Sequence, residues 1–138
     1  MQLTKNFKLE EFIKSDTAQK NNIDNTPTDE QLDNIKFVAE QLQLIRNTYK
    51  MPIFITSGFR SEELNKAVGG SKTSQHKDGL AVDINQGSKQ RNHNLFKIIR
   101  KMIRLGLPVD QLIDEKEYSW IHVSFKQDNP REQVKHLK

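Results

Sequence analysis

Ser74-Gln75-His76-Lys77-Asp78-Gly79-Leu80-Ala81-Val82-Asp83 is the stretch from which the rest of the chain can be read. It sets a histidine and a carboxylate on either side of a glycine and runs into an apolar segment. A polar loop bearing His76 thus leads into a strand, Leu80 to Ile84, that only Asp83 interrupts. A charge inside such a strand is costly unless it is paired or bound to a metal. Gly79 lets the backbone turn between loop and strand without a side-chain clash. A second histidine, His122, lies downstream in Trp120-Ile121-His122-Val123-Ser124-Phe125. Strand alternation turns its ring to the side opposite Ile121 and Val123. Two imidazoles and one carboxylate are ligands that a catalytic zinc takes when its fourth position is left to water. The expectation is that His76, Asp83 and His122 converge on Zn2+.

Working outward, β-rich runs at 53–57, 80–84, 110–115 and 120–125 alternate with two helical patterns. Leu32, Ile35, Val38, Ala39, Leu42 and Ile45 recur at helical spacing behind Pro27-Thr28-Asp29-Glu30, which predicts a helix over 28–49. Leu95, Ile98, Ile99, Met102 and Ile103 predict a second over 89–105, ending before Gly106 and Pro108. Ser61 caps a short helix that Gly69-Gly70 stops. The fold class is therefore α+β: a small, mostly antiparallel sheet with helices packed on it and the site on its central strands. Residues 1–138 read as a single domain. Within it, 1–26 is an N-terminal docking segment and loop, with a helix capped by Thr4 and a loop from Ser15 to Thr26, and 126–138 is a peripheral polar tail.

Composition narrows the function. There is no cysteine, so disulfide frameworks and thiolate metal sites are excluded. The net charge of +4 suits solubility, or attraction to a polyanion such as an anionic cell wall. The one basic cluster, Lys97, Arg100, Lys101 and Arg104, has no interleaved aromatic residues and fits the exposed face of a helix, which argues against nucleic acid as a partner. No apolar run approaches the ~20 residues of a membrane span, and the first residues lack the apolar centre of a signal peptide. The expectation is synthesis in the cytoplasm, no membrane insertion and a monomer.

At this point three ordered segments carry a resemblance. Ser74-x-His76-x-x-Gly79-x-Ala81-x-Asp83 resembles the zinc motif of the M15-type metallopeptidases, the D-Ala-D-Ala carboxypeptidases, dipeptidases and phage endolysins that cleave peptidoglycan peptides. Ser57-Gly58-Phe59-Arg60-Ser61 resembles their Ser-Gly-Tyr-Arg-Ser segment, and Trp120-x-His122 their last-ligand motif. Asp110-Gln111-Leu112-Ile113, preceding the last histidine strand, is similar to the phage and prophage branch. The resemblance implies a D-Ala-D-Ala carboxypeptidase/Hedgehog-like fold, with His76, Asp83 and His122 as zinc ligands and Arg60 as a substrate-binding or charge-stabilising residue. It also implies a peptidoglycan peptide substrate and action on the cell wall after phage-type release. Two neutral imidazoles and a carboxylate leave positive charge on the ion, which makes a bound water acidic near neutral pH.

A general base must still take the water proton. Relatives place an acid three residues before the last histidine, and that position here is Ser119. Asp114, Glu115 and Glu117 are the nearby acids. If 116–119 is a four-residue hairpin loop, Glu115 shares a face with Ile113, Trp120 and His122, while Asp114 points away. Glu115 is the first choice for the base and Glu117, in the loop, the second. Ser74 is read either as a substrate or ligand-supporting hydrogen-bonding group or as a loop cap. His93 and His136 have no partners in the sequence and are given no role. The expected activity is hydrolysis of stem peptides, as a carboxypeptidase or an endopeptidase. The alternative is a catalytically impaired binding or structural phage module that keeps the fold, with or without zinc, an option that Ser119 leaves open.

Overall fold

The computed structural model describes residues 1–138. The elements run α1 (Leu9–Ile13), α2 (Asp16–Lys20), α3 (Asp29–Tyr49), β1 (Ile55–Ser57), α4 (Glu62–Ala67), a 3₁₀ turn (Gln75–Asp78), β2 (Ala81–Ile84), α5 (Lys89–Arg104), β3 (Val109–Glu115), β4 (Trp120–Phe125) and β5 (Gln133–Leu137). One five-stranded sheet has the order β1-β2-β4-β3-β5. All its pairings are antiparallel except β3 with β5. The expected α+β fold, with a mostly antiparallel sheet and helices on it, is what forms.

Alternation sorts the sheet into two faces. Val82 and Ile84 on β2, Leu112 on β3, and Ile121, Val123 and Phe125 on β4 enter the main core with Ile35, Val38, Leu42 and Ile45 of α3 and Leu95, Phe96 and Ile99 of α5. Their sequence neighbours Asp83, His122, Ile113 and Glu115 therefore project from the other face. The α3 helix starts on a capping box: Thr28 Oγ1 accepts from the Gln31 amide at 3.2 Å and Gln31 Oε1 from the Thr28 amide at 2.8 Å. It ends where Lys50 takes a left-handed conformation, φ 66°, two residues before Pro52.

Three local expectations change. Thr4 caps no helix; its hydroxyl donates to Gln43 Oε1 at 2.9 Å, and α1 starts at Leu9. Phe7 and Phe12 still dock, at 1% exposure each. The polar run Ser15 to Thr26 is not all loop: Ser15 Oγ accepts from the Ala18 amide and starts α2. One buried alanine, Ala18, is all the apolar signal that helix has, so periodicity could not reveal it. The tail is not merely peripheral, because Gln133–Leu137 forms the edge strand β5 beside β3. Its pattern of half-buried residues reads as polar in sequence because an edge strand buries little on either face.

Candidate metal centre

The register of three strands assembles most of the site. Asp83 of β2 lies directly opposite His122 of β4, which lies opposite Ile113 of β3, and Glu115 lies opposite Trp120. His122 Nδ1 is 3.0 Å from Asp83 Oδ1. The third member arrives on the 3₁₀ turn, where His76 Nε2 is 3.4 Å from Asp83 Oδ2. The two rings meet edge to face with centroids 5.2 Å apart. One ligand atom from each of the three residues falls within 4.8 Å of the others.

The turn bearing His76 is held from several sides. Ser74 Oγ accepts from the His76 amide at 3.2 Å, and Gly79, φ 78°, closes the turn in a left-handed conformation. A Cβ on Gly79 would stand 2.9 Å from the Gln31 carbonyl, so both space and φ require glycine. From α3, Gln31 Nε2 donates to the Lys77 carbonyl at 3.2 Å and Asn34 Nδ2 to the Asp78 carbonyl at 2.8 Å. From the segment after β1, the Arg60 amide donates to the His76 carbonyl at 3.0 Å.

The decisive contact is at the other ring nitrogen. His76 Nδ1 lies 2.7 Å from the Gly58 carbonyl oxygen, which can only accept. Nδ1 therefore carries a proton, and Nε2 is the nitrogen turned toward the Asp83 carboxylate. A metal ion between Nε2 and Asp83 Oδ2, 3.4 Å apart, would satisfy both, as would a second ring proton. A tetrahedral ion with bonds of about 2.0–2.1 Å sets its donors roughly 3.3 Å apart; the two histidine nitrogens stand 3.0 and 3.4 Å from different oxygens of Asp83, separations of that order. His76, Asp83 and His122 fit a metal ion in atom type and in lying within 4.8 Å of one another, and the Gly58 carbonyl on Nδ1 leaves Nε2 as the ligand atom of His76.

The electrostatics agree. Burial acts to raise the Asp83 pKa, but hydrogen bonds and charge from His122 and His76 outweigh it and hold the carboxyl well below the ordinary aspartate range. Arg60 Nη2 stands 3.6 Å from Asp83 Oδ2. Its Nε donates to Ser57 Oγ and its Nη1 to Asn65 Oδ1, both at 3.3 Å. Burial lowers the Arg60 pKa, and Asp83 opposes that.

A groove of about 350 Å³ opens beside the cluster, and Ser74, Glu115 and His122 line it. Burial pushes the Glu115 carboxyl up, with Asp83 and Asp114 adding to the rise and the histidines opposing it. Asp114 turns to the opposite face, where it is 5% exposed and receives the Tyr118 amide at 2.7 Å and His136 Nδ1 at 2.8 Å. Glu117 points to solvent, 4.0 Å from Lys89 Nζ. Ser119 Oγ donates to the Lys116 carbonyl of its own loop at 2.7 Å. Ser74 both caps the turn and lines the groove. A larger cavity of about 570 Å³ between α3 and α5 is mainly apolar, with Lys101 its one charged lining group, and lies away from this chemistry.

Sequence reasoning passed over one arrangement here. Gln75 donates from Nε2 to Asp110 Oδ2 at 3.0 Å, and Arg131 from the tail binds the same carboxylate. The signal that singled out Asp83, an acid inside an apolar run, applied equally to Asp110.

A search of curated proteins gives no match. A family model described as peptidase M15 matches residues 5–124, a span that includes β1, the 3₁₀ turn and all three members of the cluster. The three motifs, their order and the convergence of their side chains agree with that match, and the chain belongs to the peptidase M15 family.

Proposed function

We propose that this chain is a zinc-dependent peptidase that hydrolyses peptide bonds in peptidoglycan stem peptides, as a D-Ala-D-Ala carboxypeptidase or an endolysin-type endopeptidase. The observation that carries the reading is the convergence of His76 Nε2, turned toward Asp83 by the Gly58 carbonyl on Nδ1, with the Asp83 carboxylate and His122 Nδ1. His76, Asp83 and His122 would hold the ion. Bound there, zinc supplies Lewis acidity, which makes water more acidic at neutral pH and polarises a carbonyl.

The remaining roles belong to the chain's own groups. Glu115, on the groove wall with His122, takes a proton from the attacking water and passes it to the leaving amine. Arg60, oriented by Ser57 and Asn65, offers its guanidinium to a substrate carboxylate or to negative charge developing on the carbonyl oxygen. Ser74 donates its hydroxyl to a peptide in the groove while its oxygen holds the His76 turn. In this reading the protein works as a monomer on the cell wall after phage-type release.

Mass spectrometry of muropeptides digested with the zinc-loaded protein tests the reading. Products that differ from substrate by one hydrolysed peptide bond support it, and their masses name the bond. Stoichiometric zinc with no change in any muropeptide mass overturns it in favour of a binding module.

A further inference from the structure

The segment after β4 lies beyond the part of the chain that the family model matches. It returns along β3 and brings Arg131 to the wall of the groove that contains His122 and Glu115. Asp110, only 2% exposed, fixes it there. Its Oδ1 accepts the Arg131 amide at 2.8 Å, and its Oδ2 accepts Arg131 Nε at 3.0 Å and Nη2 at 2.7 Å. The fourth donor on this carboxylate is Gln75 Nε2, from the residue next to His76.

This arrangement does more than staple the tail. A guanidinium has five N–H donors, and Asp110 takes one from Nε and one from Nη2. The other three, both on Nη1 and the second on Nη2, meet no protein acceptor, and the side chain remains 54% exposed. Asp110 is buried behind the guanidinium, so the positive end of the pair faces the groove. The other lining residues are neutral apart from Glu115 and the titratable His122, which leaves Arg131 the groove's one permanent cation. Two guanidinium hydrogen bonds to one oxygen of a buried acid also remove the rotational freedom an exposed arginine would otherwise lose on binding. Arg60 lines a separate cavity of about 330 Å³.

We propose that Arg131 is a specificity-determining residue that binds a substrate carboxylate remote from the scissile bond. The inference rests on the peptidase reading for the identity of the substrate. Stem peptides carry carboxylates along their length, and a carboxylate accepts the parallel N–H pair that a fixed guanidinium presents.

The test uses synthetic stem peptides with each carboxylate amidated in turn, bound calorimetrically to the zinc-loaded full-length protein and then assayed for KM and kcat. For the wild type, amidation at one position weakens binding about tenfold or more, the scale of one charge-assisted contact. In Arg131→Gln that preference falls to about one, while Arg131→Lys keeps part of it; the change appears in KM rather than kcat. Circular dichroism and thermal unfolding establish that each variant is folded. A wild type indifferent to every amidation overturns the proposal whatever the variants do. So does an Arg131→Gln protein that loses affinity equally for free and amidated peptides, because a staple for β5 alone would act that way. If peptides bind with the Arg131-dependent preference but none is cleaved, the carboxylate subsite stands and the peptidase reading fails.

Discussion

His76 donates its Nδ1–H to the carbonyl oxygen of Gly58 at 2.7 Å, and this bond leaves Nε2 as the nitrogen that can bind a metal. Such a partner fixes the tautomer and ring orientation of a metal-binding histidine, and losing it typically costs about 10–100-fold in metal affinity. Gly58 is itself confined, since an added Cβ would stand 2.5 Å from the Phe12 carbonyl oxygen and 2.9 Å from its Cα. Gly58→Ala must therefore shift the carbonyl away from His76 or push α1 outward. The expected result is zinc affinity weaker by about 10–100-fold in chelator competition, with a lower melting temperature. Unchanged affinity in a folded variant would show that the carbonyl does not orient the ring.

Glu115 and Glu117 are two residues apart but occupy different environments. Glu115 lines the groove with His122, and Glu117 faces Lys89 in solvent. Glu115→Gln should lower kcat by about 10²–10⁴-fold, the usual span for removing a general base, and keep one zinc per chain. Glu117→Gln should change kcat less than about twofold, as expected of an exposed charge. Full activity in Glu115→Gln would move the base elsewhere.

The raised pKa of Glu115 also has a stability consequence. Ionised Glu115 is harder to accommodate in the folded metal-free chain than in the unfolded one, whose carboxyl titrates near 4.5. The folded state therefore binds the proton more tightly, and stability increases as pH falls through the folded-state pKa toward 4.5. Without metal, Glu115→Gln should melt higher than wild type at pH 7, with the gap closing below about pH 4.5. A positive ion in the cluster lowers the Glu115 pKa, so carboxyl NMR should show its titration moving down on zinc loading. A titration that stays put would separate Glu115 from the ion.

How much of this could be read from the sequence follows from which signals are local. Asp83 and His122 could be placed because each sits in an alternating apolar run, where period two fixes the face. The hairpin register followed from loop length, and Glu115 does lie opposite Trp120. His76 was legible only as half of a spaced pair; the Gly58 carbonyl that sets its tautomer is a backbone atom 18 residues away and has no side-chain signature. The clamp on Arg131 spans 21 residues and needs β5 to pair parallel with β3, a non-local event that a polar edge strand does not announce. Asp110 and Asp114 satisfied the rule that singled out Asp83, but their partners lie in the tail.

The N-terminal segment is part of the machinery and not an appendage. Phe12 is 1% exposed, and its carbonyl accepts the Phe59 amide at 2.7 Å, next to Gly58. Asn25 ties the same region together, donating from Nδ2 to the Ile13 and Phe59 carbonyls and accepting the Ser61 amide. Phe12→Ala should cost about 3–5 kcal/mol of unfolding free energy, the range for emptying a buried aromatic site. Urea denaturation measures it; a loss well under 1 kcal/mol, the scale of ordinary surface substitutions, would mean that the segment docks only loosely.

Asp110 links the stability of the fold to pH with the opposite sign from Glu115. The side-chain hydrogen bonds from Arg131 lower its pKa most; burial opposes them, and the Arg131 amide, Gln75 and the arginine charge add to the lowering. The folded value thus lies below the ordinary 3.8. The unfolded chain binds this proton more readily, so the stabilisation is fully present above about pH 3.8 and disappears as pH falls through the folded pKa. Asp110→Asn removes the charge at every pH. The variant should therefore unfold at lower urea than wild type at pH 7, and the two midpoints should converge as pH drops below about 3.8. A gap independent of pH would mean that the amide disrupts packing and that the ion pair with Arg131 contributes nothing. Hydrogen exchange locates the effect. If the carboxylate holds the tail to the sheet, the Gln133–Leu137 amides lose protection first in Asp110→Asn. Because Gln75 donates to the same oxygen, the amides of the His76 turn should follow, and zinc affinity should weaken although no ligand has changed.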